Sequence, residues 1–439
     1  MAGGLVFLTK ECSISHYTPI NMIKSTRRQF LSQSLALTAA PWVSKLTASP
    51  SKTLSLACIG VGGHGNGYNM PSFMRENDCR VVAVCDVHKP RREQALAKVN
   101  EKYGDKDCQG YGDFREVLAR KDIDAVVIST PDHWHVPISM AALETGKDVF
   151  CEKPTLTIAE GRKLVEAVKK HGAVFQAGLE DRSITAYHLL CESVRNGKIG
   201  QLGHIDVELP VHSKVYIEEK QKPPAGLDWN MWLGPAPWAE YSPQRFDWMG
   251  WRMMRDYSGG ILTDWGAHIV DTAQVGNFAE LSGPVSIEGK GEIPEGVMNT
   301  AKQTFDITYT YGNGVTMRVK SGGVRLHFQG SEGWCGNKGW RGAPEAHDKT
   351  IFKADYTQNK MWPRPVGEHR NFLDCVKSRQ RTTYTAEDLH RLSTTLHLGA
   401  IAMELGRKLE WNPDTEAFTN DCEANRLRSR EARDWAAGA

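Results

Sequence analysis

Asp264 and His268 stand four residues apart in the run Gly259-Gly260-Ile261-Leu262-Thr263-Asp264-Trp265-Gly266-Ala267-His268-Ile269-Val270-Asp271. At about 3.6 residues per turn, a helix puts both side chains on one face, near enough to act as a pair. A carboxylate beside an imidazole is what proton transfer near neutral pH requires. The same spacing also suits a purely structural helix pair, so its meaning depends on what the rest of the chain supplies.

Three further groups of residues carry chemistry. Gly60-Val61-Gly62-Gly63-His64-Gly65 has the G-x-G-x-x-G spacing, in which the glycines allow a tight turn, a close approach of backbone to a pyrophosphate, and close packing of strand on helix. Asp86 ends the next apolar run, where an acid hydrogen-bonds ribose hydroxyls and repels a 2′-phosphate; this favours NAD, while Arg91 and Arg92 leave NADP open. Lys153, in Cys151-Glu152-Lys153-Pro154, precedes a proline and is therefore held extended, projecting its ammonium instead of continuing a helix. A surface lysine in a loop is the alternative. Ser129-Thr130-Pro131-Asp132-His133-Trp134-His135 offers two imidazoles and an acid. No third ligand follows at a recognisable spacing and the ten cysteines form no C-x-x-C, so no metal site is expected.

The elements that must position these groups alternate. Short runs rich in Val, Ile, Ala and Cys at Leu54–Ile59, Arg80–Cys85, Ala125–Ser129, Asp148–Cys151 and Val174–Ala177 predict strands, and Arg91–Lys102, Ile138–Thr145 and Ile158–Lys170 predict helices between them. Continuous apolar strands joined by crossover helices describe a doubly wound parallel sheet covered on both faces. The glycine run, Thr130-Pro131 and Lys153 all follow strands of this sheet, on the side where such sheets bind ligands. Beyond Gly178, longer alternating runs at Gly203–Val211, Thr304–Tyr311, Val315–Ser321 and Val324–Gln329, with the turn Tyr311-Gly312-Asn313-Gly314, predict an open, mostly antiparallel sheet in a second α/β domain. The expected division is a leader at 1–50, a Rossmann domain at 51–173, a substrate and oligomerisation domain at 174–368, and a helical extension at 369–439 that packs on the body.

With 439 residues the chain is long enough for two cores, and 54 Lys plus Arg against 52 Asp plus Glu form no long basic block. Nucleic-acid and anionic-membrane partners have no electrostatic support, which leaves small-molecule chemistry. Near the N-terminus, Thr26-Arg27-Arg28-Gln29-Phe30-Leu31 precedes the mildly apolar Leu35-Ala36-Leu37-Thr38-Ala39-Ala40 and a small-residue stretch ending at Ala48-Ser49-Pro50. This resembles a twin-arginine export signal and implies a periplasmic protein; the apolar run is too short to span a membrane. Cys58, Cys85 and Cys151 fall in expected buried strands and read as small buried thiols.

Together, Gly60-x-Gly62-x-x-Gly65, Thr130-Pro131 with His135, Glu152-Lys153-Pro154 and Gly259-Gly260-x-Leu262-x-Asp264-x-Gly266-x-His268 resemble the Gfo/Idh/MocA family of glucose-fructose oxidoreductase-like and inositol dehydrogenase-like proteins. The likeness extends through Phe328-Gln329-Gly330-Ser331-Glu332-Gly333-Trp334, His369-Arg370-Asn371-Phe372 and Trp411-Asn412-Pro413. It implies an NAD(P)-dependent oxidoreductase acting on a secondary alcohol of a sugar, sugar derivative or cyclitol, assembled as a homodimer or homotetramer. Gly60, Gly62, Gly63, His64, Gly65, Asp86, Thr130, Pro131, His135, Glu152 and Lys153 are then the expected cofactor residues. Lys153 matches a lysine that hydrogen-bonds the reacting hydroxyl, and Asp264 and His268 match an acid and a general acid/base, with Asp264 expected to orient the imidazole or tune its pKa. Glu180-Asp181 before Arg182-Ser183 departs from the family pattern, and these acids put the pocket's opening in question.

Trp229, Trp232, Trp238, Trp248, Trp251 and Trp265 crowd the segment leading into the active-site motif, most expected to be structural and one or two to reach substrate. Trp251, Arg252 and Tyr257 are the substrate-contact candidates. Two rival functions remain: a glycoside hydrolase that uses NAD for transient oxidation, elimination and re-reduction, and a sugar-binding protein that retains the nucleotide without chemistry.

Overall fold

The computed structural model describes residues 53–353, 361–362 and 364–435. The leader with Arg27 and Arg28 lies outside the described residues.

Six parallel strands form the first sheet: β1 (Leu54–Ile59), β2 (Cys79–Cys85), β3 (Gln109–Tyr111), β4 (Ala125–Ile128), β5 (Asp148–Glu152) and β6 (Phe175–Gly178), in the order β3-β2-β1-β4-β5-β6. β4 is buried along its whole length, as a strand covered on both faces must be. The helix Ile158–His171 shows why the crossovers form. Thr157 caps its start in a reciprocal capping box with Glu160, its buried face is Ile158, Gly161, Leu164 and Ala167, and Gly172 ends it at φ +61°. The chain reverses direction across the sheet between β1 and β4, so a crevice opens at their carboxyl ends. Strand β6 carries the parallel sheet through Gly178, beyond the boundary expected at 173, because Phe175 and Ala177 are buried beside β5.

The second sheet holds nine strands: β7 (Leu202–Leu209), β8 (Pro284–Glu292), β9 (Thr304–Tyr311), β10 (Thr316–Ser321), β11 (Arg325–Gly330), β12 (Trp334–Lys338), β13 (Pro344–Ala346), β14 (Leu409–Asn412) and β15 (Ala417–Phe418). Their order is β13-β12-β11-β7-β10-β9-β8-β14-β15, and every pairing is antiparallel except β7 with β10.

One helix, Ile261–Gly276, packs against this sheet and against the long helix Ala386–Leu405. Small residues let it approach: a Cβ on Gly266 would stand 2.7 Å from the Leu396 side chain, and one on Gly276 would stand 2.6 Å from the Phe328 ring. Thirteen of its sixteen residues are buried, and those left partly open are Asp264, Trp265 and His268. The helix is thus fixed by packing on nearly all sides and presents one narrow reactive stripe.

The C-terminal section is built into both cores. The helix Glu368–Ser378 places Phe372, Leu373 and Val376 against Phe73 and Phe150 of the first domain, while β14 and β15 extend the second sheet where a helical extension was expected. At four and two residues these strands are too short for their alternation, Leu409 and Trp411 inward, to declare itself in sequence. Eight of the described cysteines, including Cys58, Cys85 and Cys151, are buried, and Cys422 is exposed. Among the described residues no helix is long and apolar enough to cross a membrane.

Candidate active site

A cavity of about 570 Å³ runs from the carboxyl ends of β1, β2, β4 and β5 to the reactive stripe of the helix Ile261–Gly276. Its floor is the glycine turn. Gly60 adopts φ +82°, and a Cβ there would stand 2.7 Å from the backbone of Ser129 and Thr130, so the ends of β1 and β4 meet only because this side chain is missing. A Cβ on Gly65 would lie 2.1 Å from the Gly60 carbonyl oxygen, which makes Gly65 a packing residue under the floor. Gly63 faces open space, and with Gly62 and His64 it lines the cavity.

Asp86, at the end of β2, accepts hydrogen bonds from the Val61 amide (3.0 Å) and the His88 amide (2.9 Å), and burial pushes its pKa up. Thr130 lines the cavity with its hydroxyl buried and without a hydrogen-bond partner among the described residues. A bare glycine floor, an acid at the end of β2 and an orphaned hydroxyl fit a dinucleotide. Pro131, His135 and Glu152 complete this wall, although both ring nitrogens of His135 face carbonyls, those of Pro154 (2.8 Å) and Thr130 (2.9 Å), so His135 ties loops together. Glu152 receives His64 Nε2 at 3.0 Å and Asn69 Nδ2 at 2.8 Å. Burial pushes the Glu152 carboxyl up, but His64 and Asn69 outweigh it and hold it at about 2; burial lowers the His64 pKa and Glu152 reverses this to a net rise.

Lys153 follows β5 through a cis peptide to Pro154. Its Nζ donates to Asp264 Oδ1 at 2.7 Å and to the Asp264 carbonyl oxygen at 3.0 Å. Of the ammonium's three N–H groups one is left without a partner among the described residues, on the cavity wall. Arg252 Nε stands 3.6 Å from the other Asp264 oxygen. Burial opposes ionisation of both partners, but their mutual attraction wins: the Asp264 carboxyl is held well below its ordinary range and the Lys153 pKa is raised.

His268 does not pair with Asp264. Its Nδ1 meets Asp181 Oδ2 at 2.6 Å, on a carboxylate whose side chain is fully buried, and Asp181 Oδ1 accepts the Trp340 indole N–H at 3.2 Å. The acid four residues back is claimed by Lys153, and the orienting role expected of Asp264 belongs to Asp181. Burial lowers the His268 pKa, yet Asp181 more than offsets this and the net shift is upward. With Nδ1 engaged, Nε2 is the nitrogen left without a hydrogen bond among the described residues. A carboxylate-bound imidazole facing a crevice is an oriented base.

The sequence marks Asp181 as a departure from the family pattern without assigning it a partner. It carries no signal for Trp340, on the turn between β12 and β13, whose ring lies 5.3 Å from His268 and 5.8 Å from Trp265, nor for Tyr68 in the cavity wall, while Trp134 lines the cavity from the Ser129–His135 loop. Of the six tryptophans that crowd the motif, Trp232, Trp248, Trp251 and Trp265 line the cavity, while Trp229 and Trp238 do not. Arg252 also lines it, the guanidinium lying 4.1 Å from the Trp251 ring centre. Tyr257 is a correction: it is fully buried against Trp232 and His133, receives Arg245 Nη1 at 3.3 Å, and forms no part of the cavity wall.

The imidazoles and acid of the β4 loop point to different partners. His133 Nε2 meets the Trp232 carbonyl at 2.9 Å, with burial taking its pKa to about 4, and Asp132 accepts the Ser258 hydroxyl at 2.5 Å. Glu180, Asp181 and His268 bring one potential ligand atom each within 4.8 Å of one another, but Arg341 already pairs with Glu180 at 2.6 Å, and His268 and Trp340 already use Asp181.

Comparison with known proteins gives two family matches. Residues 54–179 match the family model described as an oxidoreductase family, NAD-binding Rossmann fold, of the Gfo/Idh/MocA group, and residues 211–437 match its C-terminal alpha/beta domain. The inositol 2-dehydrogenase of Salmonella typhimurium is 31% identical over 166 residues, 37% of this chain and 46% of that protein. The 2,7-anhydro-N-acetylneuraminate hydratase of Mediterraneibacter gnavus is 30% identical over 162 residues, 33% of this chain and 40% of that protein. The chain thus spans under half the length of these curated relatives. The structure of aldose-aldose oxidoreductase from Caulobacter crescentus complexed with glycerol superposes with a TM-score of 0.59 at 18% identity, covering 82% of this chain and 99% of that one, a likeness of fold.

Proposed function

This chain belongs to the Gfo/Idh/MocA oxidoreductase family, with an NAD-binding Rossmann domain and a C-terminal α/β domain, and from that premise we propose that it transfers a hydride between a secondary alcohol of a sugar, sugar derivative or cyclitol and a nicotinamide cofactor. The observation that carries the reading is the meeting, on one cavity, of the glycine floor with two separately held groups, the Lys153 ammonium and the His268 imidazole. A bound nicotinamide dinucleotide supplies the hydride acceptor. His268 Nε2 takes the hydroxyl proton as the C–H bond gives up its hydride, so the alcohol becomes a ketone; a placed base is worth ~10²–10⁴-fold in such a step. Lys153 turns its remaining N–H toward the developing oxyanion, and Asp264, whose other oxygen faces Arg252, keeps it from swinging away. Asp181 fixes the His268 proton on Nδ1 and stabilises the imidazolium that forms. Nearby tryptophans exclude water and offer flat apolar faces to a sugar ring.

NAD is preferred over NADP in this reading because of Asp86, and Arg91 on the same wall keeps NADP open. The Arg27-Arg28 leader supports export to the periplasm by the twin-arginine route, and family resemblance supports a homo-oligomer. A second reading, glycoside cleavage by transient oxidation, elimination and re-reduction, draws support from the similarity to a hydratase of an anhydro sugar. A screen of sugars, glycosides and cyclitols separates the two: net NADH formation supports the dehydrogenase, and aglycone release without net reduction supports the lyase-type reaction. Purified protein, once denatured, should release a nicotinamide dinucleotide or bind one when it is added; neither outcome occurring sinks both readings.

A further inference from the structure

A second cavity, of about 320 Å³, adjoins the first, and Tyr68 and Glu180 line both. The turn between β12 and β13 marks the divide: Trp340 lines the first cavity and its neighbour Arg341 the second. Both residues are fixed. The Trp340 indole donates to Asp181, and Arg341 pairs with Glu180 while its backbone amide donates to the Tyr187 hydroxyl at 3.1 Å. The hydroxyl of Tyr68, which lines both cavities, donates to Glu368 at 2.8 Å. The two cavities therefore meet at a sill of anchored polar side chains.

Their linings differ in a way that suits two parts of one ligand. Beside His268 the wall is indole, with Trp340 and Trp265 set edge to face. A sugar ring with one hydroxyl at His268 Nε2 has its apolar face available to Trp340. Past the sill the second cavity is lined by Arg75, Glu76, Ser183, Glu368 and Arg370; Arg370 pairs with Glu76 at 2.8 Å and Glu368 accepts from Tyr68, so ion-paired charges of both signs and the Ser183 hydroxyl present their remaining donors and acceptors together. Such a mixture suits a neutral polyol better than an anion, a cation or an apolar chain. The first cavity is shared by the dinucleotide and the reacting ring, so anything attached to that ring has the second cavity as its adjoining space.

We infer that the substrate is a glycoside of at least two sugar units, the oxidised unit against Trp340 beside His268 and the next unit across Tyr68 and Glu180 in the second cavity. This rests on the dehydrogenase reading above and narrows its substrate class. One or two hydrogen bonds from the second unit to charged groups give a preference of about tenfold or more.

The test measures kcat/KM for NAD-dependent oxidation of cellobiose, maltose and lactose against methyl β-glucoside, methyl α-glucoside and methyl β-galactoside. At least one disaccharide should exceed its matched methyl glycoside about tenfold or more. Ser183→Trp, which fills the second cavity, should bring that ratio to near one, and Arg75→Trp at an exposed position of the same cavity gives an independent plug. Methyl glycosides matching the disaccharides in every pair, or a ratio that survives both plugs, overturns the two-unit cleft while dehydrogenation stands. Oxidation of a cyclitol with failure of all six glycosides overturns it in the same way. No oxidation of any alcohol removes both readings.

Discussion

Replacing Asp181 with Asn exchanges one oxygen for one nitrogen at a buried position and isolates what the carboxylate does for His268. The Trp340 indole N–H can only donate, so it retains the amide oxygen at the place of Asp181 Oδ1 and turns the NH₂ toward His268 Nδ1, now 2.6 Å from Oδ2. Nδ1 must then accept, its proton moves to Nε2, and the nitrogen facing the cavity loses the lone pair that takes the substrate proton. A base in the wrong tautomer costs ~10²–10⁴-fold in kcat, about 2.7–5.5 kcal/mol of barrier. The pH profile moves as well. Asp181 raises the His268 pKa, and a base must be neutral, so wild-type oxidation declines as pH falls through that raised value. Without the carboxylate the acidic limb shifts to lower pH. The assay is initial-rate nicotinamide reduction from about pH 5 to about pH 9, with dinucleotide affinity, expected unchanged, measured beside it. A variant whose kcat stays within about threefold of wild type, with its acidic limb unmoved, refutes the Asp181–His268 dyad.

Lys153→Met should reduce kcat by about 10²-fold or more and spare dinucleotide binding; near-normal turnover removes Lys153 from the mechanism. The same change leaves the partly buried Asp264 carboxylate facing only Arg252, so stability falls by about 1–3 kcal/mol in urea melts, and Lys153→Met with Asp264→Leu recovers most of that loss without recovering activity. Asp86→Ala should weaken NAD about tenfold or more and narrow the preference over NADP in a titration of both nucleotides, because the ribose loses a charged acceptor. Glu152 is held at about 2 against an ordinary 4.5, so its stabilising contribution is full above about pH 4.5 and is lost as pH falls toward 2. His64→Gln removes its largest partner, and the midpoint of acid unfolding followed by circular dichroism should move to higher pH.

The cofactor half of the site was legible because its signals are local. The turn Gly60–Gly65 follows β1 directly, Asp86 ends β2, and Glu152-Lys153-Pro154 ends β5, so strand periodicity alone puts them on one edge of the sheet. Helical spacing likewise placed Asp264 and His268 on one face of a helix. What spacing cannot choose is the partner. Lys153, 111 positions from Asp264, and Asp181, 87 positions from His268, decide which acid serves which base, and that choice is made by packing of the second domain on the first. Tyr257 failed for the same reason, since its nearness in sequence to the motif says nothing of the aromatic cluster that buries it. Trp340 arrives from a turn between two strands of the second sheet, the second of them only three residues long, which no periodic pattern announces.

Hydride transfer from a carbinol carbon, with His268 as the proton acceptor, is open to direct measurement by isotope transfer. A sugar or glycoside that supports turnover is deuterated at the reacting carbon and incubated with NAD, and the nucleotide is recovered and analysed by mass spectrometry. The expected result is one deuterium in each reduced nucleotide, one equivalent of keto sugar, and abolition of both by His268→Ala with dinucleotide binding retained. Reduced nucleotide without the label, or undiminished labelling in His268→Ala, rules this mechanism out.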